Sequence, residues 1–277
     1  MLAANFTILC SHETIQEYTV KLQRWLSAPD PSTNYRRALQ QRQNGTTDWF
    51  FEHERFSEWK SSPDSKLWIS GLPGCGKTVL SSAIVQEVKA DSSHTALYFF
   101  FDFSDAEKRS LEGMVRSLID QLYQTRKSTR IHLDLLFSTH QEDPRDQPST
   151  EALCDTLAHM IQQMDHIYII IDALEECGTQ TDTEHKDVPS WVASLILALQ
   201  NSRVLVTSRK QESLGAVFEE LIRSEDRLEM PHEFVASDVQ TYVRALLRED
   251  DRFAQWRSIP SIQRQIEITL TRRADGA

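Results

Sequence analysis

Cysteine is scarce: Cys10, Cys75, Cys154 and Cys177 are the four in 277 residues, and no two form a CxxC pair. That excludes a disulfide framework and points to a reducing compartment. Long hydrophobic runs are missing as well. The longest, such as "IYIII" at 167–171, are far too short to cross a bilayer. The start, "MLAANFTILCSHETIQ", lacks a basic segment followed by a sustained apolar core, so no signal peptide is expected. Positive charge is in deficit, with 30 Lys and Arg against 41 Asp and Glu, a net −11. Binding to phosphate backbones needs clustered Lys and Arg, so nucleic acid is excluded as the main partner. The nine histidines show no metal spacing with Cys or Glu. No G-x-S-x-G elbow is present, which argues against a serine hydrolase. The sequence shows no internal repeat. The expectation is a soluble, cytoplasmic protein without a membrane span.

What is present is an ordinary globular balance, 40% hydrophobic and 26% charged. Apolar residues at helical spacing mark 12–27, and shorter helical stretches follow near 34–43 and 47–60. "SSPDS" closes this region. From Lys66 the rhythm changes. "KLWIS", "TALYFFFDF", "HIYIIIDA" and "SRVLVTSR" are continuous apolar runs, which predict strands buried on both faces, with a short strand at 227–230. Helical patterns separate them, near 78–90, 107–125, 129–139, 149–164, 188–200 and 212–223, with more near 237–249 and 259–273. Alternation of this kind predicts an α/β fold, a parallel sheet with helices on both faces. Three regions are expected: a helical lead-in over 1–62, a core over 63–232 and a C-terminal helical segment over 233–277. Trp49 and Trp59 are expected to pack the lead-in helices on the sheet.

"GLPGCGKT", from Gly71 to Thr78, fits G-x-x-x-x-G-K-[ST]. Glycines let backbone N–H groups curl around a phosphate without side-chain clashes. The helix that follows points its positive end at the anion. Lys77 would add a mobile charge, and the Thr78 hydroxyl would ligate Mg²⁺. The loop candidates are therefore Gly71, Leu72, Pro73, Gly74, Cys75, Gly76, Lys77 and Thr78. A strand before the loop and a helix after it set the pattern apart from an accidental turn. Cys75 is either a thiol with a lowered pKa beside Lys77 or a small packing residue.

A phosphate loop needs a partner for the metal. "HIYIIIDALEEC" runs from apolar strand straight into Asp172, at the strand end where open α/β sheets bind ligands. Asp172 is the second candidate metal residue. Glu176, or else Glu175, would orient the attacking water, unless both merely cap the next segment. Arg209 closes "SRVLVTSR". It either reaches the γ-phosphate or ends a strand as an exposed arginine.

These three motifs, in this order, resemble the NACHT-type nucleotide-binding domain of the signal-transduction ATPases (the STAND class). "WLSAPDPSTNYRRALQQRQNGTTDWFFEHERFSEWK", "LWISGLPGCGKTVLSSAIV", "LYFFFDF", "MVRSLIDQL", "IIIDALEEC", "VLVTSR" and "REDDRFAQWRS" look like the fungal NACHT proteins with a nephrocystin-3-like N-terminal domain. Ankyrin or WD repeats often follow that domain. The resemblance runs from about Trp25 to Gly276. It implies a P-loop NTPase fold and an ATP- or GTP-dependent switch, resting with ADP or GDP, that uses Mg²⁺ and self-associates in signalling or non-self recognition. It also implies that Asn44-Gly45-Thr46-Thr47 lie near the base or ribose. Two departures stand out. The family usually has "DALDEC" where Glu175 stands here, which implies slow hydrolysis. It also typically continues "ADGMF" into further helices and a winged-helix domain, where this sequence has "ADGA". The expectation is a fragment or truncated form that lacks the winged helix and the repeats.

Two other functions compete with the switch. A P-loop small-molecule kinase would carry an arginine-rich lid, and "KQESLGAVFEE" after Arg209 is not arginine-rich. A remnant that binds nucleotide without signalling fits the missing winged helix.

Overall fold

The computed structural model describes residues 15–140, 146–177, 192–193, 199, 202–210, 218–220 and 222–274. Most residues of the helices predicted at 188–200 and 212–223 lie outside those described. The lead-in comprises α1 (Ile15–Leu26), α2 (Ser32–Gln41), α3 (Asp48–Glu52) and α4 (Glu54–Ser61). The alternating part follows: β1 (Lys66–Ser70), α5 (Lys77–Lys89), β2 (Thr95–Phe100), α6 (Leu111–Thr125), α7 (Arg130–Ser138), α8 (Thr150–Gln162), β3 (Ile167–Asp172), β4 (Ser202–Ser208) and β5 (Arg227–Glu229). α9 (His232–Glu249) and α10 (Pro260–Ala274) come last.

The five strands form one sheet in the order β2-β3-β4-β1-β5, and every pair is parallel. The strand sequences explain why the sheet is covered on both faces. Side chains alternate along a strand, and here both alternating sets are apolar. Ile167, Ile169 and Ile171 of β3 join Leu97, Phe99, Val204 and Val206 on one face. There they meet Met114, Leu118 and Leu122 of α6 and Leu153 and Leu157 of α8. Tyr168 and Ile170 join Tyr98, Phe100 and Leu205 on the other face, against Leu80 and Ile84 of α5 and Phe50, Phe56 and Trp59 of the lead-in. Each such fully buried side chain contributes about 1.5–3 kcal/mol relative to exposure.

Local chemistry modifies the predicted helices. The stretch 47–60 is two helices, because His53 is extended (φ −74°, ψ 136°) and its Nδ1 accepts the Arg55 N–H at 3.1 Å. That ring caps α4 and breaks the run. α9 begins at His232, five residues before the periodicity predicts, with Pro231 as its extended N-cap (φ −67°, ψ 130°). Trp59 does pack on the sheet, with its Nε1 donating to Val204 O at 3.1 Å. Trp49 lies half-buried at the margin of the same cluster and also stacks on Phe234 of α9, ring centroids 4.9 Å apart. Among the described residues, no helix is long and apolar enough to cross a membrane.

Candidate functional site at the strand ends

Three adjacent strands end at one place. β1 leads into the glycine loop, β4 ends at Ser208, and β3 ends at Asp172. The order β3-β4-β1 puts β4 between the other two. Hydrogen bonds tie the three ends together. Gly71 N–H donates to Ser208 O at 3.2 Å. Thr207 Oγ1 donates to Asp172 Oδ1 at 2.6 Å and accepts the Ala173 N–H at 3.1 Å.

The loop takes its shape from left-handed backbone at Gly74 (φ 77°) and Gly76 (φ 92°). Side chains rarely adopt that conformation, so glycine fits both positions. Gly71 is required for a different reason. A Cβ there would lie 2.8 Å from Cys75 Sγ and 3.3 Å from Met230 Cβ. Leu72 and Pro73 are exposed on the outer side of the loop. α5 starts from Gly76 with no side-chain cap. Its first N–H groups therefore have no capping oxygen and face outward, as an anion site requires.

Lys77 is buried, and its Nζ donates to Gly71 O at 2.9 Å and Leu72 O at 3.0 Å. The ammonium is held inside the loop by the loop's own carbonyls. Cys75 is half-buried, with its Sγ 3.8 Å from Lys77 Nζ and 3.4 Å from Met230 Sδ. Burial pushes its thiol pKa up, and this outweighs the nearby Lys77 charge. The activated-thiol alternative therefore fails, and Cys75 packs.

Asp172 is 1% exposed. Its Oδ1 accepts from Ser81 Oγ at 2.7 Å as well as from Thr207. Burial raises its pKa, while the hydroxyls of Thr207, Ser81 and the exposed Thr78 oppose the rise. The carboxylate thus sits beside α5 in a dry, hydroxyl-lined seat. Ala173 turns left-handed (φ 56°) just after it and starts the short 3₁₀ turn Leu174–Glu176.

That turn separates the two glutamates. Glu175 folds inward, 4% exposed at its side chain, and its Oε1 meets Arg209 Nε at 3.1 Å. Its Oε2 is buried without a hydrogen-bond partner among the described residues. Glu176 points toward the end of β2, where its Oε2 accepts the Phe103 N–H at 3.2 Å. Burial raises the Glu176 pKa, and the Phe103 N–H partly offsets this. Arg209 is part-exposed, 42% at its side chain, reaching back from β4 to the turn after β3.

The structure therefore brings Gly71–Thr78, Asp172, Glu175, Glu176 and Arg209 to the C-terminal end of the sheet, at its central strands. Thr207 and Ser81 belong with them and were missed in the sequence. The available signal was a threonine inside the apolar strand "RVLVTS", since a buried hydroxyl needs a partner. A cavity of about 270 Å³ continues from the loop, between Gly74 and Gly76 on one side and α9 on the other. Thr46 and Thr47 line it, so half of the expected base-proximal tetrad lies beside the loop.

A parallel sheet with a glycine loop leading from β1 into α5 is the architecture of a P-loop NTPase domain. The chain belongs to the nephrocystin 3, N-terminal, family, whose model matches residues 45–209. It is similar to the vegetative incompatibility protein HET-E-1 of Podospora anserina, at 24% identity over 205 residues. The matched part is 72% of this chain and 15% of that protein, so the chain spans a small fraction of its relative. The crystal structure of Cdc6p from Pyrobaculum aerophilum overlays 73% of this chain and 51% of its own, at 11% identity and a TM-score of 0.44.

Proposed function

We propose that this domain binds a purine nucleoside triphosphate and acts as a slowly hydrolysing switch. The observation that carries the reading is the convergence of the β1, β3 and β4 ends. One loop with uncapped helix N–H groups, one buried lysine, one buried aspartate and one arginine share the C-terminal end of the sheet. The residues fit a magnesium nucleotide. Thr78 and Asp172 would hold the cation, which when bound neutralises phosphate charge and polarises the terminal phosphoryl group. The loop N–H groups and Lys77 would hold the phosphates. Lys77 must exchange two carbonyl partners for phosphate oxygens, so loop and ligand compete for one ammonium.

Glu176 is the better candidate to orient a water, since Glu175 is occupied by Arg209. Glu175 then acts as a positioning residue that holds Arg209 near the loop. This division of labour supports slow turnover, because only one carboxylate is free and it is half-committed to the Phe103 N–H. The printed name of HET-E-1 ties that relative to vegetative incompatibility. Signalling in non-self recognition is the setting we propose for this chain, with nucleotide-gated self-association as its output and the cytoplasm as its location. We propose the three regions over 1–62, 63–232 and 233–277 as the units of this switch.

The test is equilibrium binding of ADP, ATP and GTP to wild type and Lys77→Ala, with circular dichroism on both. Wild type should bind, and Lys77→Ala should lose triphosphate at least tenfold while keeping its fold. A wild type that binds none of the three nucleotides ends the switch reading.

A further inference from the structure

The loop after β2 carries the N–H on which Glu176 rests, and the lead-in grips that loop. Residues 102–108 close on themselves. The Asp102 N–H donates to Lys108 O at 3.3 Å, the Asp105 N–H to Asp102 O at 3.1 Å and the Lys108 N–H to Asp105 O at 3.0 Å. Asp102 Oδ1 accepts the Ser104 N–H at 3.0 Å. Phe103 stands at the tip, 69% exposed, and donates its N–H to Glu176 Oε2. Next to Glu176, Cys177 Sγ reaches Arg109 O at 3.5 Å. The turn after β3 leans on this loop at two points.

α2 lies against β2, with the Tyr35 and Tyr98 rings 5.2 Å apart. Its first turn offers Thr33 and Asn34 to the loop. Asn34 uses both ends of its amide there. Its Nδ2 donates to Asp102 Oδ2 at 3.0 Å, and its Oδ1 accepts from Lys108 Nζ at 2.7 Å. Lys108 Nζ also donates to Thr33 Oγ1 at 2.9 Å and lies 3.6 Å from Asp105 Oδ2. Lys108 is buried, so its ammonium depends on these oxygens to offset lost hydration. Asn34 thus bridges a carboxylate and a buried ammonium of one loop. Hydrogen bonds to charged groups are the stronger kind.

We propose that Asn34 is a positioning residue that keeps Glu176 parked on the Phe103 N–H, so that the lead-in restrains hydrolysis. The inference rests on the hydrolysing-switch reading above. A carboxylate orients water with its lone pairs and must come within hydrogen-bond reach of that water. An N–H that holds the carboxylate competes with the water for it. The Phe103 N–H competes well because its loop is fixed, whereas an exposed tip without a clamp moves within nanoseconds to microseconds. Loosening the clamp frees Glu176 for water. A displacement of α2 reaches Glu176 along one contiguous path, from Asn34 through Asp102 and Phe103.

Asn34 could instead only fasten α2 to the sheet. An exchange of residues separates the two roles. Asn34→Asp keeps an oxygen for Lys108 but sets a second carboxylate against Asp102, which opens the clamp. Adding Asp102→Asn lets amide and carboxylate trade places. The new amide donates back toward position 34, and its carbonyl still accepts the Ser104 N–H.

The experiment measures kcat and KM for ATP and GTP, and hydrogen exchange at the Phe103 amide without nucleotide. It compares wild type, Asn34→Asp and the exchanged pair. Asn34→Asp should raise kcat about threefold or more at unchanged KM and lose protection at Phe103. The pair should return both to wild-type values. An unchanged or lower kcat in Asn34→Asp overturns the proposal, as does a rise that the pair fails to reverse. Protection at Phe103 that survives Asn34→Asp overturns it whatever the rates. If Asn34→Asp fails to fold, Asn34→Ala, which leaves Lys108 its Thr33 and Asp105 oxygens, decides by the same rise in kcat and loss of protection. A wild type that binds nucleotide, with no variant hydrolysing it, removes this proposal and leaves nucleotide binding standing. No nucleotide binding by wild type removes both.

Discussion

If Glu175 positions Arg209, the two must be energetically coupled in the nucleotide-free protein. The structure sets the scale. Glu175 Oε1 and Arg209 Nε are 3.1 Å apart, with one side chain 4% exposed and the other 42%. Two unit charges about 4 Å apart attract by about 4 kcal/mol at an effective dielectric near 20. Water at the guanidinium screens part of this, and exposed pairs yield only about 0.2–1 kcal/mol. Desolvation of the carboxylate, whose Oε2 is buried with no donor among the described residues, falls on the single Glu175 variant and cancels from a pairwise coupling. A coupling of about 1–2 kcal/mol remains. The assay is a double-mutant cycle of Glu175→Gln, Arg209→Met and the pair, read by urea unfolding without nucleotide. A coupling below about 0.3 kcal/mol would refute the argument, since the ion pair would then hold nothing. The functional arm follows directly. Glu175→Gln should narrow the preference for triphosphate over diphosphate, because Arg209 loses its waiting position.

Gly71→Ala should destabilise by about 1–3 kcal/mol through overpacking against Cys75 and Met230. Adding Cys75→Ala should recover most of that loss in the same urea assay; no recovery would mean the backbone, not Sγ, is the obstacle. Glu176 has a raised pKa through burial. If its carboxylate orients water, hydrolysis must fall as pH drops through a value above the ordinary 4.5, and Glu176→Gln must slow turnover at every pH. A rate flat down to pH 4.5 moves the role elsewhere. The same shift means that Glu176 contributes less to stability as pH rises from 4.5 through its folded pKa, so Glu176→Gln should be no less stable than wild type at neutral pH.

Much of the fold was legible because it is written locally. The continuous runs in β2, β3 and β4 can be satisfied only by burial on both faces, and the glycine loop carries its own backbone requirements. The chain positions of Asp172 and Arg209 at strand ends were equally plain. What was hidden depends on contacts distant in the chain. Nothing near Glu175 reveals that Arg209, across a strand boundary, claims it. Nothing in "SDVQTYV" shows that Asp238 reaches Thr47, 191 residues away. The break at His53 was hidden for a smaller reason: a ring nitrogen acting as a helix cap leaves no mark in apolar periodicity. Cys75 shows the opposite failure, since its proximity to Lys77 was visible but its burial was not.

The sheet order has a consequence for how the domain comes into being. Trp68 of β1 donates its indole N–H to Ser208 Oγ, a partner 140 residues further along the chain. The glycine loop is synthesised early, yet the strand that braces it emerges last among β1 to β4. Loop closure over such distances makes folding slow. On the ribosome, the loop and α5 must wait without β4, with apolar Leu67, Ile69 and Leu80 lacking their neighbours. A nucleotide held as proposed above could not assist folding during that interval, since the strand ends that would seat it are not yet together; added during synthesis, it should change the yield of stable protein without changing the rate at which the sheet forms.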